Sequence, residues 1–214
     1  MDQPILECLS AEQLAADREW WAIYYDSFPS AEREPASVIV KSVRDFVGLA
    51  FRTRMAGNTV GIATTHLLAQ PAAVFLVYLA IVKKHRSARL GGPLFEYADS
   101  CSEARIRAQG RHSLGLIWEV DIPGGSASEE MHVRQKRIEF FERYGGVVLR
   151  HAYMQPPVSG AAVPMRLMFR PAPEVPPPSD STIDALIRAI YFEKYAAVNG
   201  IPSQTLTGLL QARV

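Results

Sequence analysis

The sequence predicts an α/β or α+β layered domain built around a mixed sheet. Helical and strand-like patterns alternate along the chain, 48% of the 214 residues are hydrophobic, and one segment, residues 72–82 (AAVFLVYLAIV), is apolar without interruption. A strand that is greasy on both sides is covered on both faces, so this one takes a central place in the sheet. A chain of this length can bury one sizeable core and still carry an appendage.

The elements follow in order. Residues 4–9 (PILECL) suggest a short first strand. Leu14, Trp21 and Tyr25 then recur at helical spacing over 11–25, opened by Ser10 with Gln13 three residues on, as in a capping box. Pro29 biases Phe28 away from helical angles, which makes 26–30 a turn, and a second helix is expected over Glu32–Arg44. From 47 to 68 two alternating runs flank Gly57-Asn58, the pattern of an antiparallel hairpin. After the central strand, KKHRSARLGG leads into a helix over 92–109 with Leu94, Ala98 and Cys101 facing inward and Gly110 stopping it. A strand at 113–122, a flexible loop PGGSAS, a helix at 128–144 ended by Gly145-Gly146, and strands at 147–154 and 164–170 complete the run.

Composition then shifts. Residues 171–180 hold five prolines and read as an extended spacer. Beyond it Ile183, Leu186, Ile187, Ile190, Tyr191, Lys194 and Val198 form a helical stripe, capped by Ser181 or Thr182 and closed by Gly200, with a shorter helix at 203–212. The chain thus divides into a domain over 1–170, a spacer over 171–180 and a helical extension over 181–214. The extension buries its stripe either on its own domain or on a partner subunit, as in a homodimer.

Composition also excludes classes. A net charge of +1 with 21% charged residues gives no broad electrostatic footprint for nucleic acid or anionic lipid. The longest apolar run, eleven residues, falls short of the roughly 20 a spanning helix needs. The opening MDQPILECLSAEQ lacks a basic region followed by an apolar run, so no signal peptide is expected. Cys8 and Cys101 show neither a disulfide framework nor a zinc spacing, and the expectation is a soluble protein of the cytoplasm. His66, His85, His112, His132 and His151 lack HxH or HExxH spacing, so no metal is expected, and no Gly-x-Ser-x-Gly elbow is present.

The chemistry concentrates in LAIVKKHRSARLGGPL, residues 79–94. A buried strand leaves the core, passes through Lys83, Lys84, Arg86 and Arg89, and reaches Gly91-Gly92 at a helix start. Main-chain N–H groups at a helix start have no intrahelical acceptor, the helix dipole adds positive potential, and glycines let a bulky phosphate approach. A ligand bearing a diphosphate suits such a site. A glycine pair that merely turns a loop into a helix, with solvated cations around it, is the alternative.

Arg86-Ser-Ala-Arg-Leu-Gly91 resembles the arginine-led diphosphate loop of the GNAT acetyltransferases. Tyr24-Tyr-Asp-Ser-Phe-Pro-Ser-Ala-Glu-Arg33 resembles the turn between that family's first helices, and Arg137-Ile-Glu-Phe-Phe-Glu-Arg-Tyr-Gly145 its late helix; the element order fits over 4–170. The resemblance implies a mixed, mostly antiparallel central sheet flanked by helices, with acetyl-CoA as co-substrate and an amine as acceptor. It implies that main-chain groups near Leu79, Ile81 and Val82 meet the pantetheine arm, that Arg86, Ser87, Ala88, Arg89, Leu90, Gly91 and Gly92 cradle the diphosphate, and that Phe141 lies on the cofactor side. Two positions depart from the pattern. Arg89 stands in place of the loop's middle glycine, so a negative φ is expected there. Phe141 replaces the tyrosine that supplies a proton in many relatives, and Tyr144 lies three residues out of register.

Direct attack by an amine also needs a base, since an amine with a pKa near 10 is mostly protonated at pH 7. Glu119 and Asp121, on one face of the strand that would flank the cofactor strand, are the candidates. Glu32 and Glu34 attract a cationic amine or form a solvated helix start. Three functions stay open: acetylation of a small-molecule or amino-acid amine, acetylation of a protein- or tRNA-linked amine, and non-catalytic binding of an acyl-CoA.

Overall fold

A computed structural model of the chain describes residues 3–122 and 128–212; most of the expected PGGSAS loop lies outside the described residues. Among the described residues, eight strands form one sheet in the order β1-β2-β3-β4-β5-β8-β6, with β7 also paired to β8. These are β1 (Ile5–Leu9), β2 (Gly48–Met55), β3 (Asn58–Ala69), β4 (Ala72–Ile81), β5 (Gly115–Asp121), β6 (Val147–Val148), β7 (Tyr153–Gln155) and β8 (Val163–Pro171). Every pairing is antiparallel except β4 with β5, so the sheet is mixed and mostly antiparallel. The greasy segment does become the central strand.

Helices cover both faces. One face carries α4 (Gly91–Ala108) and α5 (Ser128–Glu142), which pack Leu94, Phe95, Ile138 and Phe141 on Val74, Leu116 and Trp118. The other face is shared. At one end lie α1 (Ala11–Ala16), α2 (Arg18–Ser27) and α3 (Ala36–Arg44), with Leu14, Trp20 and Tyr24 against Ala50, Ile62 and Tyr78. At the other end lies the extension: α6 (Asp180–Ala189), a π-helical segment Ile190–Ala196 and α7 (Ser203–Gln211). Its Ile183, Leu186, Ile187, Ile190 and Tyr191 join Phe75, Ile117 and Phe169 in one cluster. The stripe is therefore buried within its own chain. Among the described residues no helix is long and apolar enough to cross a membrane.

Several boundaries differ from expectation for identifiable reasons. The first helix is two, because Asp17 adopts extended angles and accepts the Trp20 N–H at 2.9 Å as a new cap. The second helix starts after Pro35, not at Glu32, since Glu34 is drawn inward. The hairpin turns on Ala56-Gly57, both at positive φ, rather than on Gly57-Asn58. The strand at 147–154 splits into β6 and β7. Ser179, not Ser181 or Thr182, caps α6, accepting from the Thr182 N–H at 3.2 Å.

Candidate active site

The site begins with a gap in the sheet. β4 and β5 pair only at Val74–Leu116, Phe75–Ile117 and Leu76–Trp118, although β4 runs on to Ile81 and β5 to Asp121. The break coincides with a bulge: Thr65 faces Leu76 and Thr64 faces Tyr78, so Val77 has no partner on β3. A bulge reverses which face successive side chains address. Leu76 and Leu79 accordingly both pack toward α4, while Tyr78 points to the opposite face. At the strand's end the Val82 N–H donates to the Val60 carbonyl at 3.0 Å. Ladder alternation then turns the main-chain groups of Leu79 and Ile81 toward the gap. The Ile81 carbonyl accepts from Arg86 Nε at 3.3 Å. Val82 drops out of the expected set, because its N–H is paired to Val60 and its carbonyl accepts from His85 N at 2.8 Å.

The basic loop follows directly. Lys83–Ala88 is a 3-10 turn, and Lys83, Lys84, Arg86, Ser87, Ala88 and Arg89 are exposed. Arg89 takes φ 55°, ψ 29°, the left-handed region, and not the negative φ expected of a residue with a Cβ. That conformation costs a non-glycine residue about 1 kcal/mol. Buried Leu90 leads into α4, whose start has no side-chain cap. The N–H groups of its first turn thus keep the positive end of the helix dipole without a side-chain acceptor.

The two glycines differ in what they permit. A Cβ on Gly92 would lie 1.6 Å from the Tyr144 hydroxyl oxygen, whereas one on Gly91 would meet the Phe140 ring at 3.4 Å. Close packing of Tyr144 explains the first. Phe141, expected beside the cofactor, is instead core: 5% exposed, with its ring 4.9 Å from Trp118 and 5.4 Å from Phe95. Tyr144 brings a hydroxyl to the start of α4, and the Phe140 ring packs against its ring at a tilt, with centroids 5.1 Å apart.

Across the gap, Glu119 points to the face that the extension covers. Its Oε1 accepts from the Tyr153 hydroxyl, its Oε2 from Gln155 Nε2 at 2.8 Å, and both oxygens from the Tyr195 hydroxyl at 2.9 and 3.0 Å. Burial pushes its pKa up; the three donors pull the other way without overcoming burial, and the nearby Glu34 charge adds to the rise. Asp121, two residues on, is ion-paired with Arg137 at the rim. Glu32 stands near Asp121 with its pKa raised, by desolvation first and by that charge second.

Glu34 is neither solvated nor free to meet an amine. It is 4% exposed and ion-paired to Lys194 at 2.6 Å, with Lys194 itself 2% exposed. The surrounding loop is pinned as well: the Tyr24 hydroxyl donates to the Glu34 carbonyl at 3.0 Å, and the Glu34 N–H donates to the Tyr78 hydroxyl at 3.0 Å, which itself donates to the Glu32 carbonyl at 2.9 Å. His66, 2% exposed, has its pKa pushed down to about 3 by desolvation and by Lys194. Sequence reasoning placed Glu119 but missed Tyr153, Gln155, Lys194 and Tyr195. The one available signal was Lys194, a lysine at a buried position of an otherwise apolar stripe.

Solved structures similar to this chain include acetyltransferases. A protein of Bacteroides thetaiotaomicron described as a GNAT-family acetyltransferase aligns over 92% of this chain and 99% of its own, with a TM-score of 0.66 at 15% identity. The chain has the GNAT fold. An aminoglycoside 6′-N-acetyltransferase complexed with coenzyme A aligns over 82% of this chain and 99% of its own (TM-score 0.59, 14% identity). The ribosomal-protein-S18-alanine N-acetyltransferase of Escherichia coli aligns over 83% and 97% (TM-score 0.54, 16% identity). No family model matches the sequence, and no curated protein matches it either. Within the GNAT fold of this chain, the parted strands β4 and β5, the basic loop and the bare helix start lie in sequence around one gap.

Proposed function

We propose that this chain is an acyl-CoA-dependent N-acyltransferase, moving an acetyl group from acetyl-CoA to a primary amine of a small molecule or amino acid. The observation that carries the reading is the parting of β4 and β5 after Leu76 and Trp118. It leaves the main chain of Leu79 and Ile81 free of a strand partner on that side, just ahead of the exposed cations and the uncapped start of α4. It also leaves Glu119, the next residue of β5, beyond the last paired position. The residues fit acetyl-CoA on both counts: amide-like groups for an amide-bearing arm, and N–H donors with a positive dipole for a diphosphate.

Bound there, acetyl-CoA supplies an activated acyl group. The N–H groups of Gly91 and Gly92 at the uncapped start of α4 would hold the diphosphate beside the cations of the loop, and Leu79 would align the arm. Glu119 removes a proton from the incoming ammonium, directly or through water; its raised pKa brings it closer to neutrality, where a general base works best. Tyr144 brings a hydroxyl to the start of α4, a group that Phe141 lacks. The similar structures act on aminoglycosides in one case and on a protein in the other, which supports an amine acceptor more firmly than its class.

Titration calorimetry with acetyl-CoA and thiol release over a panel of primary amines test this reading. Binding and turnover are expected, with Glu119→Gln binding acetyl-CoA as wild type does while losing about 10²- to 10⁴-fold in rate. Folded protein with no affinity for acetyl-CoA or for longer acyl thioesters would overturn it.

A further inference from the structure

We infer that the C-terminal extension completes the candidate active site, with Tyr195 as the residue that positions Glu119. The inference rests on the acyltransferase reading of Glu119. Among the described residues Tyr195 is the donor that reaches both Glu119 oxygens, at 2.9 and 3.0 Å, and it lies 76 residues further along the chain. The hydroxyls of Tyr153 and Tyr195 converge with Gln155 on one carboxylate and fix its plane.

The geometry around Tyr195 is built for such a role. The residue lies in the π-helical segment Ile190–Ala196, and the wider winding of a π turn sets adjacent side chains apart from their α-helical directions. Lys194 and Tyr195, neighbours in sequence, are both buried against the same face of the sheet. Lys194 locks onto Glu34 at 2.6 Å while Tyr195 holds Glu119, with the Phe75 ring 6.3 Å from its own. Tyr191, one turn earlier, anchors the segment to β7 through its hydroxyl and the Met154 carbonyl at 2.6 Å. The extension thus ties the loop ahead of α3, the end of β5 and β7 into one unit, and adds a third donor to the two that β7 supplies to the carboxylate at its centre.

The charged and titratable groups facing Glu119 are Tyr153 from β7, Tyr195 from the extension and Glu34 from the loop, with Lys194 neutralising Glu34. A phenol O–H donated to a carboxylate favours its charged form. Removing the Tyr195 hydroxyl therefore makes Glu119 a carboxylate with fewer donors, protonated up to a higher pH and unusable as a base there.

The test uses full-length protein labelled with ¹³C at the glutamate carboxyl, with the Glu119 signal identified by its loss in Glu119→Gln. Tyr195→Phe keeps the ring and is expected to raise the Glu119 titration by about one pH unit. The acid limb of thiol release with acetyl-CoA and an amine substrate moves up by the same amount, and calorimetric affinity for acetyl-CoA stays within about twofold of wild type. Tyr191→Phe, which loses the bond to the Met154 carbonyl and keeps the ring against Tyr153, lowers the unfolding midpoint without moving the titration. Tyr195→Leu repeats the measurement should the Phe variant fail to fold. The inference is overturned if Tyr195→Phe titrates as wild type, or if Tyr191→Phe shifts Glu119 equally. A wild-type protein that binds no acetyl-CoA overturns the transferase reading instead, and the carboxyl titration separates the two failures.

Discussion

On one side of the β4–β5 gap, Lys83, Lys84, Arg86 and Arg89 stand exposed around a helix start that no side chain caps. On the other, Glu34, His66 and Lys194 are each under 5% exposed, and Glu119 is held by three side chains, two from β7 and one from the extension. The first region offers main-chain donors and loose positive charge to something that arrives from solution. The second has already satisfied its charges internally, so its geometry is set before any ligand comes. A mobile, chemically uniform partner such as a diphosphate needs only the former; proton transfer at a defined atom needs the latter.

The comparison breaks most readily at the buried ion pair. Lys194→Met leaves the Glu34 carboxylate buried without its counter-ion, and uncompensated charges of that kind cost about 3–5 kcal/mol. Urea unfolding measures the loss. Glu34→Leu added to Lys194→Met removes the orphaned charge and recovers most of it. Acetyl-CoA affinity of the folded Lys194→Met protein stays near wild type, because the basic loop touches none of these groups. A collapse of affinity in parallel with stability would mean that the two sides are not separately built.

His66 sharpens the same contrast through pH. Its folded pKa, about 3, lies below the 6.5 of an unfolded histidine, so the unfolded chain takes up the proton first as pH falls. The stability this neutral histidine contributes is fully present above 6.5 and drains away as pH drops toward 3. Between pH 6.5 and 5 the loss is about 2 kcal/mol, at about 1.4 kcal/mol per unit. Wild type minus His66→Gln, unfolded in urea at several pH values, isolates it, since other titrating groups cancel in the difference. Parallel curves for the two proteins would place His66 in contact with solvent or with an acceptor.

The difference between the regions also explains what could be read from the sequence. The loop is local: strand, cations, glycines and helix start follow one another over residues 79–94, and periodicity with helix-end chemistry is enough to find them. The alternation that set Glu119 apart from Trp118 and Val120 is equally local. Glu34 was legible only as a helix start, because its partner Lys194 lies at the far end of the chain and nothing near Glu34 announces burial. The family resemblance matched Phe141 to the relatives' tyrosine; the helix ends at Glu142, and Tyr144 swings back through a turn in which its N–H bonds the Phe141 carbonyl at 3.0 Å. A residue past the end of a helix no longer obeys its spacing. The gap coincides with a bulge at Val77 that no composition or period marks.

Arg89 gives the smallest effect and tests the open side on its own terms. Its left-handed backbone costs about 1 kcal/mol, a strain that glycine would relieve while adding back about 0.4–1 kcal/mol of unfolded-state entropy. Arg89→Gly is therefore expected to change stability by no more than about 1 kcal/mol, upward, and Arg89→Ala to show no gain because it keeps the strain. If the guanidinium serves the diphosphate, both variants weaken acetyl-CoA binding by the same few-fold factor, and that factor shrinks with added salt, as exposed charges are screened over roughly 10 Å at 0.1 M. If Arg89→Gly instead binds more tightly than Arg89→Ala, the loop's conformation rather than its charge limits affinity, and the strained arginine is a departure that the rest of the loop tolerates.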